Sequence, residues 1–242
     1  MKKVLITGAA GYIGSELINY LLKQDYQIVA LDNLMYEKTS LLRYASDSRF
    51  SFVKGDVRDH KLLKELMSDV DVIIPLAALV GFPLCDKDPE GATAINYEAN
   101  KFIADNKTSE QKVIYPCTNS GYGTNEGICT EESPLRPVSL YGKTKVQAEE
   151  AYKNVENHVT FRLATVFGPA ARMRTDLLVN NFVLRTLRDK LIVLYECEFM
   201  RNYVHIHDVC RAFMFVLDNW DRCKNETYNV GNDSLNMNKL QL

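Results

Sequence analysis

The sequence predicts an α/β fold built on a doubly wound, mostly parallel sheet, and three observations predict it. Short apolar runs alternate with longer amphipathic stretches along most of the chain. Three glycines at three-residue spacing, Gly8, Gly11 and Gly14, stand where the first apolar run gives way to the first amphipathic one. An acid, Asp32, closes the second run. Strands that alternate with helices build parallel sheets covered on both faces.

The elements follow in order. Strands are expected at 3–7, 27–31, 50–54, 71–77, 112–117 and 159–164. Helices are expected at 12–24, 60–68, 93–106, 139–154, 176–188 and 207–219. Val4-Leu5-Ile6-Thr7 reads as a buried strand, and Leu17, Ile18, Leu21 and Leu22 then recur at helical spacing. Glycines in the turn between them let the backbone approach a diphosphate, which the open N–H groups of the new helix face. A carboxylate at the position of Asp32 accepts hydrogen bonds from a ribose diol and repels a 2′-phosphate. No Arg or Lys immediately follows it, so the pattern favours NAD over NADP.

Ligands of such sheets bind at the C-terminal strand ends, where Gly8, Asp32, Asp56, Ala77 and Cys117 fall. Glu131 to Pro137 is a loop by its prolines and delivers the chain to Tyr141. His205 and His207 alternate with Val204 and Ile206, the pattern of a strand end. Glu226 to Val230 reads as a further strand, 231–234 as a turn, and Leu235 onward as a helix that stops almost at once.

Tyr141 and Lys145 stand four apart on a predicted helix and therefore share a face. An ammonium beside a phenol favours the phenolate, so the spacing predicts a tyrosine pKa below its ordinary value of about 10. Such a residue is an acid/base able to work near neutral pH.

Composition narrows the function classes. The chain has 242 residues, a formal net charge of −2 and no basic stretch interleaved with aromatics, which gives no support for nucleic-acid binding. Met1-Lys2-Lys3 before an apolar run imitates a secretion signal, but the run breaks at Thr7-Gly8. No stretch is long enough to cross a bilayer. Six scattered cysteines without a Cys-x-x-Cys pair read as reduced thiols of a cytoplasmic protein, and the four histidines lack metal spacing. No metal is expected. Cys85 has no adjacent basic partner and is not a credible nucleophile.

Together the motifs resemble the extended short-chain dehydrogenase/reductases, within the nucleotide-sugar epimerase and dehydratase group. The resemblance runs from Met1 to about Val230. It rests on Thr7-Gly8 through Gly14, Leu31-Asp32-Asn33-Leu34, Gly55-Asp56-Val57, Leu76-Ala77-Ala78 and Asn96. It continues through Cys117-Thr118 before Tyr122-Gly123, the Tyr141/Lys145 pair, Phe167-Gly168-Pro169 and Arg201-Asn202-Tyr203-Val204-His205.

The resemblance implies a Rossmann-type domain over 1–166, with 203–225 returning to it. It places a smaller, interleaved substrate-binding region at 167–202 and 226–242. It implies catalytic roles for Thr118, Tyr141 and Lys145. Tyr141 would remove a sugar hydroxyl proton as hydride passes to the nicotinamide, Thr118 would hydrogen-bond the oxygen being oxidised, and Lys145 would lower the tyrosine's pKa and hold the nicotinamide ribose. Cofactor contacts are implied for Gly8, Gly11, Tyr12, Ile13, Gly14, Asp32, Asn33, Asp56, Val57, Leu76, Ala77, Ala78, Asn96, Cys117, Tyr141 and Lys145. Within that set Asp56 would bond the adenine, Val57 would pack against it, and Asn96 would support the active-site helix. Substrate contacts are implied for Val80, Asn119, Ser120, Arg174, Asn180, Asn181 and Arg201.

Departures from the family pattern narrow the reaction. Hexose 4,6-dehydratases place Asp and Glu directly after the catalytic Thr, and this chain has Asn119 and Ser120. What fits is transient oxidation at one carbon: an NAD-dependent nucleotide-diphosphate-sugar epimerase, with carbon 4 favoured and carbon 2 also compatible. A dehydratase or ketosugar reductase of the same family, and a non-catalytic dinucleotide-binding sensor or scaffold, are the alternatives. Ala164-Thr165 stands where the family commonly has a diphosphate-binding Asn, so that contact is expected to move to Arg172-Met173-Arg174, to Asn180-Asn181, or to both. Helices 93–106 and 139–154 commonly pair across a dimer in this family, which implies a homodimer.

Overall fold

A computed structural model of the protein describes residues 1–36, 39–124 and 127–242. Strands β1 (Lys3–Thr7), β2 (Gln27–Asp32), β3 (Phe50–Lys54), β4 (Val72–Pro75), β5 (Lys112–Thr118) and β6 (His158–Leu163) belong to one sheet. The short β7 (Thr165–Phe167) and β8 (Arg201–His205) lie apart from it, whereas β9 (Glu226–Val230) rejoins it. The order is β3-β2-β1-β4-β5-β6-β9, every pair parallel. The chain leaves β1 in opposite directions, to β2 on one side and β4 on the other. Ligands of open α/β sheets bind at the crevice such a switch creates.

Alternate strand residues face two separate cores, as the two-residue repeat of a strand requires. Val4, Ile6, Ile28, Ile74 and Phe161 pack with α1 (Tyr12–Lys23) and, farther along the chain, 206–218. Leu5, Val29, Leu31, Ile73 and Tyr115 pack on the opposite face. That face is covered by α2 (His60–Met67), α3 (Phe82–Lys87), α4 (Pro89–Thr93), α5 (Ala99–Asn106) and α6 (Leu140–Lys153). Then come α7 (Leu178–Arg188), α8 (Ile206–Asp218) and the single turn α9 (Trp220–Cys223). His205 ends its strand, and its side chain accepts from the His207 N–H at the start of α8.

Four expectations are corrected. β4 stops at Pro75 instead of 77, because β1 ends at Thr7, whose carbonyl and hydroxyl take the Leu76 and Ala77 N–H groups, and then turns away at Gly8. The helix expected at 93–106 is α4, then a π-helical turn at Ala94–Glu98, then α5. The wider turn carries Asn96, whose side chain accepts from Leu79 N at 2.8 Å and donates to Leu79 O at 3.0 Å. Such turns often mark sites where a side chain is re-aimed. Strand 226–230 lies in the main sheet beside β6 and not in the substrate region, since its Thr227 and Tyr228 pair with Thr160 and Phe161. The helix expected from Leu235 is instead a 3₁₀ turn and a two-residue strand, β10 (Asn236–Met237). It pairs antiparallel with Asn202 and Arg201 of β8, completing a three-stranded sheet β10-β8-β7.

Candidate active site

A cavity of about 900 Å³ opens over the C-terminal ends of β1, β2, β4 and β5. It sits at the upper end of the range for ligand sites, roughly 300–1,000 Å³. Gly8 begins its floor at φ +65, a conformation that side chains rarely adopt. A Cβ there would lie 2.6 Å from the Ala77 N. At Gly11 a Cβ would meet Gly8 O at 2.9 Å, and at Gly14 the Ala9 O at 2.6 Å. The turn therefore closes only without side chains. Gly11 caps α1 with no side-chain hydrogen bond, and the first turn has no acid, so its N–H groups face the cavity uncompensated.

Asp32 sits beside this turn. Its two oxygens accept from Ala10 N at 3.0 Å and Leu34 N at 2.8 Å, which fixes the carboxylate in place. Burial raises its pKa, against the pull of those bonds and of Arg172. Farther out, Arg58 forks onto Asp56 at 2.9 and 2.8 Å and Asn33 donates to it at 3.0 Å. Those contacts hold the Asp56 carboxyl well below the usual range. Tyr12, Ile13, Val57, Leu76, Ala77 and Ala78 line the remaining wall. An open helix N-terminus, a glycine turn without Cβ atoms and a fixed carboxylate are what a dinucleotide's diphosphate and ribose require. The residues present fit NAD.

At the other end of the cavity β5 delivers Thr118, 7% exposed. Its hydroxyl accepts from Ser120 N at 3.2 Å, starting the tight turn that carries Asn119 and Ser120. Opposite, Ser139 caps α6 by accepting from Gly142 N at 3.1 Å. That cap sets Tyr141 and Lys145 on the face turned to the cavity. Thr118 interacts with the Tyr141 phenol. Lys145 is 3% exposed, with its ammonium 4.3 Å from the centroid of the Tyr115 ring. Tyr115 in turn donates from its hydroxyl to Lys145 O at 3.1 Å, so one tyrosine holds the lysine at both ends.

The predicted electrostatics of this pair are corrected. Burial pushes the Tyr141 phenol above its ordinary pKa, and the opposing pull comes from Arg174 and Thr118, not from Lys145. Burial also pushes Lys145 down to about 8. Cys117, behind them, is a buried thiol raised by desolvation.

Beneath the catalytic helix lies a polar web. Glu149, one turn after Lys145, is fully buried and meets Arg162 of β6 at 2.6, 3.2 and 3.2 Å. Arg162 also donates to the Tyr122 hydroxyl and Glu131 O, both at 2.9 Å. Tyr122 donates to Asn229 at 2.6 Å. The web ties the Thr118 turn, α6 and β9 into one frame.

Of the substrate-side residues, Val80, Asn119, Ser120, Arg174 and Arg201 line the cavity. Asn119 donates to Asn202 at 2.6 Å, joining β5 to the smaller sheet. Arg174 pairs with Asp176. Asn180 and Asn181 do not line it. Asn180 is buried, accepting from Gly168 N at 3.0 Å and donating to Arg174 O at 3.0 Å, so it braces the loop instead. Asn181 is turned to Thr175 O at 3.0 Å. Asn96 likewise lies behind the cavity; its amide reaches Thr144 of α6 at 3.3 Å and Leu79, so it supports that helix without touching the dinucleotide wall. Sequence reasoning did not assign Tyr36, Phe82, Asp176 or Leu177, which all line the cavity, as does Thr165 of the Ala164-Thr165 pair. Of the unassigned four, Phe82 carried a signal, since it lies in a loop after the fourth strand and such loops border the crevice.

The model of the NAD dependent epimerase/dehydratase family matches residues 4–231. A low-salt glycan biosynthesis protein, Agl12, of Haloferax volcanii is 30% identical over 240 residues, covering 94% of this chain and 76% of the relative. A UDP-glucuronic acid 4-epimerase from Bacillus cereus, solved with UDP-glucuronic acid and NAD, superposes with a TM-score of 0.85 at 28% identity, over 96% of this chain and 78% of that one. A dTDP-glucose 4,6-dehydratase from Bacillus anthracis, solved with NAD, gives 0.83 at 27% identity, over 96% and 76%. Both of these neighbours, epimerase and dehydratase, were solved with NAD bound, the cofactor that the glycine turn and Asp32 accommodate. The chain belongs to the NAD dependent epimerase/dehydratase family.

Proposed function

We propose that the protein is a nucleotide-diphosphate-sugar epimerase that oxidises one sugar carbon transiently and reduces it again from the other face, with carbon 4 favoured. The observation that carries this reading is the pair of positions after Thr118. Asn119 is committed to Asn202, and Ser120 has no carboxyl group. A dehydratase needs an acid and a base at the carbons that lose water, and neither residue supplies one.

NAD, when bound, supplies the hydride acceptor and, in its oxidised form, a positive ring that favours a nearby phenolate. The chain's residues do the rest. Tyr141 takes the proton of the sugar hydroxyl and later returns it. Thr118 orients that hydroxyl from the opposite side. Lys145, held by Tyr115, fixes the ribose end of the site. Arg201 and Arg174 offer planar paired donors to the substrate's diphosphate. The loop bearing Val80 and Phe82 bounds the space in which a ketosugar turns.

The reading extends to organisation. Residues 1–164 with 206–230 form the cofactor-binding part, and the smaller sheet, which takes 165–166 and 203–205 out of the range expected for that part, forms the substrate-binding part with α7. A homodimer through α5 and α6 is part of the proposal, and a sedimentation measurement giving a monomer contradicts it. None of the described helices is long and apolar enough to cross a membrane. A cytoplasmic location belongs to the proposal too, supported by six free cysteines.

The test has two steps. Denaturing the purified protein should release NAD. Fresh protein incubated with a panel of nucleotide sugars in deuterated water should invert one centre and take up no carbon-bound deuterium. Solvent deuterium on carbon would indicate enolisation and sink this mechanism. A product that has lost water would favour the dehydratase alternative.

A further inference from the structure

The loop after β7 does not end at the substrate. Tyr12 of α1 donates its hydroxyl to Gly168 O at 2.6 Å, and Asn180 donates to that hydroxyl at 3.3 Å while accepting from Gly168 N at 3.0 Å. Ala171 N donates to Glu16 at 2.8 Å, and Arg172 N to the Ser15 hydroxyl at 3.3 Å. Every anchor lies on the first turns of α1 or braces them. The substrate-side loop is thus strapped across the helix whose N-terminus faces the dinucleotide.

Arg172 is the residue this strap presents. It lines the cavity, and its guanidinium carbon stands 4.3 Å from the centroid of the Tyr36 ring, which comes from the segment after β2. Its Nε is buried with no hydrogen-bond partner among the described residues. A buried N–H without an acceptor costs on the order of a lost hydrogen bond, which marks a place where an acceptor belongs. Four described cations line the cavity: Lys145, Arg172, Arg174 and Arg201. Of these, only Arg172 stands close enough to Asp32 to draw its carboxyl down. Arg174 acts on Tyr141 and also on Tyr12, but not on Asp32, and Lys145 stands over Tyr115.

We infer that Arg172, held by Tyr36 and by the 168–172 strap, is a cofactor-retaining residue that donates to an oxygen of the adenosine diphosphate half of NAD. This departs from the substrate-diphosphate role expected of the Arg172-Met173-Arg174 run and divides that run. Arg174 serves the sugar end and Arg172 the cofactor. The same strap makes the substrate region part of the lock on NAD. The inference rests on the family's use of NAD.

The test measures NAD and substrate binding separately in the full-length protein. Arg172→Met should co-purify with less NAD and bind added NAD about 10- to 100-fold more weakly, the effect of one lost charge-assisted hydrogen bond. Its affinity for UDP, used as the substrate-side probe, should stay within about twofold, a change too small to count as a lost contact. Arg172→Lys keeps the charge but not the Nε donor, and should fall between the two. Far-ultraviolet circular dichroism checks that each variant is folded. Unchanged NAD affinity in Arg172→Met overturns the inference, and so does weakened UDP binding with intact NAD binding. If the unaltered protein binds no NAD, both the inference and the reading beneath it fall.

Discussion

Arg162→Met is the substitution whose cost the structure defines best. Glu149 has no exposed side-chain surface, and Arg162 provides three of its contacts at 2.6–3.2 Å. Among the described residues Lys153 also pairs with it at 3.4 Å, itself part-exposed and shared with Glu150, and Lys145 feels its charge from one turn away. Removing the guanidinium strands a carboxylate in the core, and also removes the hydrogen bonds that Arg162 donates to the Tyr122 hydroxyl and Glu131 O. Breaking a buried pair from one side costs about 3–5 kcal/mol. Removing both charges with Glu149→Gln/Arg162→Met should recover part of that, because no uncompensated charge remains.

The sign of the pH effect follows. Burial alone would raise the Glu149 pKa, but the hydrogen bonds and charge of Arg162 outweigh it and hold the carboxyl below its ordinary value. A depressed carboxyl contributes stability above its unfolded pKa and loses it as pH falls through the folded one. In Arg162→Met the largest part of the pull is gone, Cys117 and Lys153 alone oppose burial, and the acid shifts toward its protonated form. The variant's deficit should therefore be greatest near neutrality and shrink as pH drops toward the carboxylate range. Urea unfolding at several pH values reads this directly. A deficit under about 1 kcal/mol at pH 7, or one that grows with acid, would refute the reasoning.

Three further outcomes are expected. Tyr141→Phe should lower kcat by about 10²–10⁴-fold while NAD binding persists, since only the proton transfer is lost; unaltered turnover would remove Tyr141 from the chemistry. Lys145 sits near 8 in the folded chain against an ordinary 10.5, so unfolding takes up a proton between those pH values and stability rises with pH across them. The rise amounts to about 3 kcal/mol, and Lys145→Met should lack that slope when the two dinucleotide-stripped proteins are compared by denaturant titration. Gly8→Ala sets a Cβ 2.6 Å from a backbone nitrogen in a left-handed conformation, and should cost about 1–3 kcal/mol and weaken NAD binding in calorimetry.

What the sequence made legible was local. The β1–turn–α1 unit is written in adjacent residues: an apolar run, glycines where a Cβ would strike Ala77, Gly8 or Ala9, then Leu17 to Leu22 at helical spacing. The spacing of Tyr141 and Lys145 likewise needs nothing but a helix. Their pKa values were not legible, because burial by residues far away in sequence outweighs the charge of a neighbour. The π turn at Asn96 depends on gripping Leu79, 17 residues earlier, and its own residues give no sign of it. Asn180 resembled a ligand by type and position, but its amide is consumed by Gly168, Tyr12 and Arg174. β10 forms only because β8 offers an edge, so its short sequence read as the start of a helix. Arg172 stood out as part of a basic run, yet which ligand it faces depends on the strap across α1.

The central claim is that one sugar C–H bond is broken and remade within the protein. The direct measurement uses the holoprotein and a nucleotide sugar carrying deuterium on carbon 4, the carbon favoured for inversion. The product, read by nuclear magnetic resonance and mass spectrometry, should be inverted at carbon 4 and keep the label there, because the hydride leaves and returns without meeting solvent. Loss of the label to water would contradict the account, and inversion at another carbon with the label untouched would contradict the preference for carbon 4.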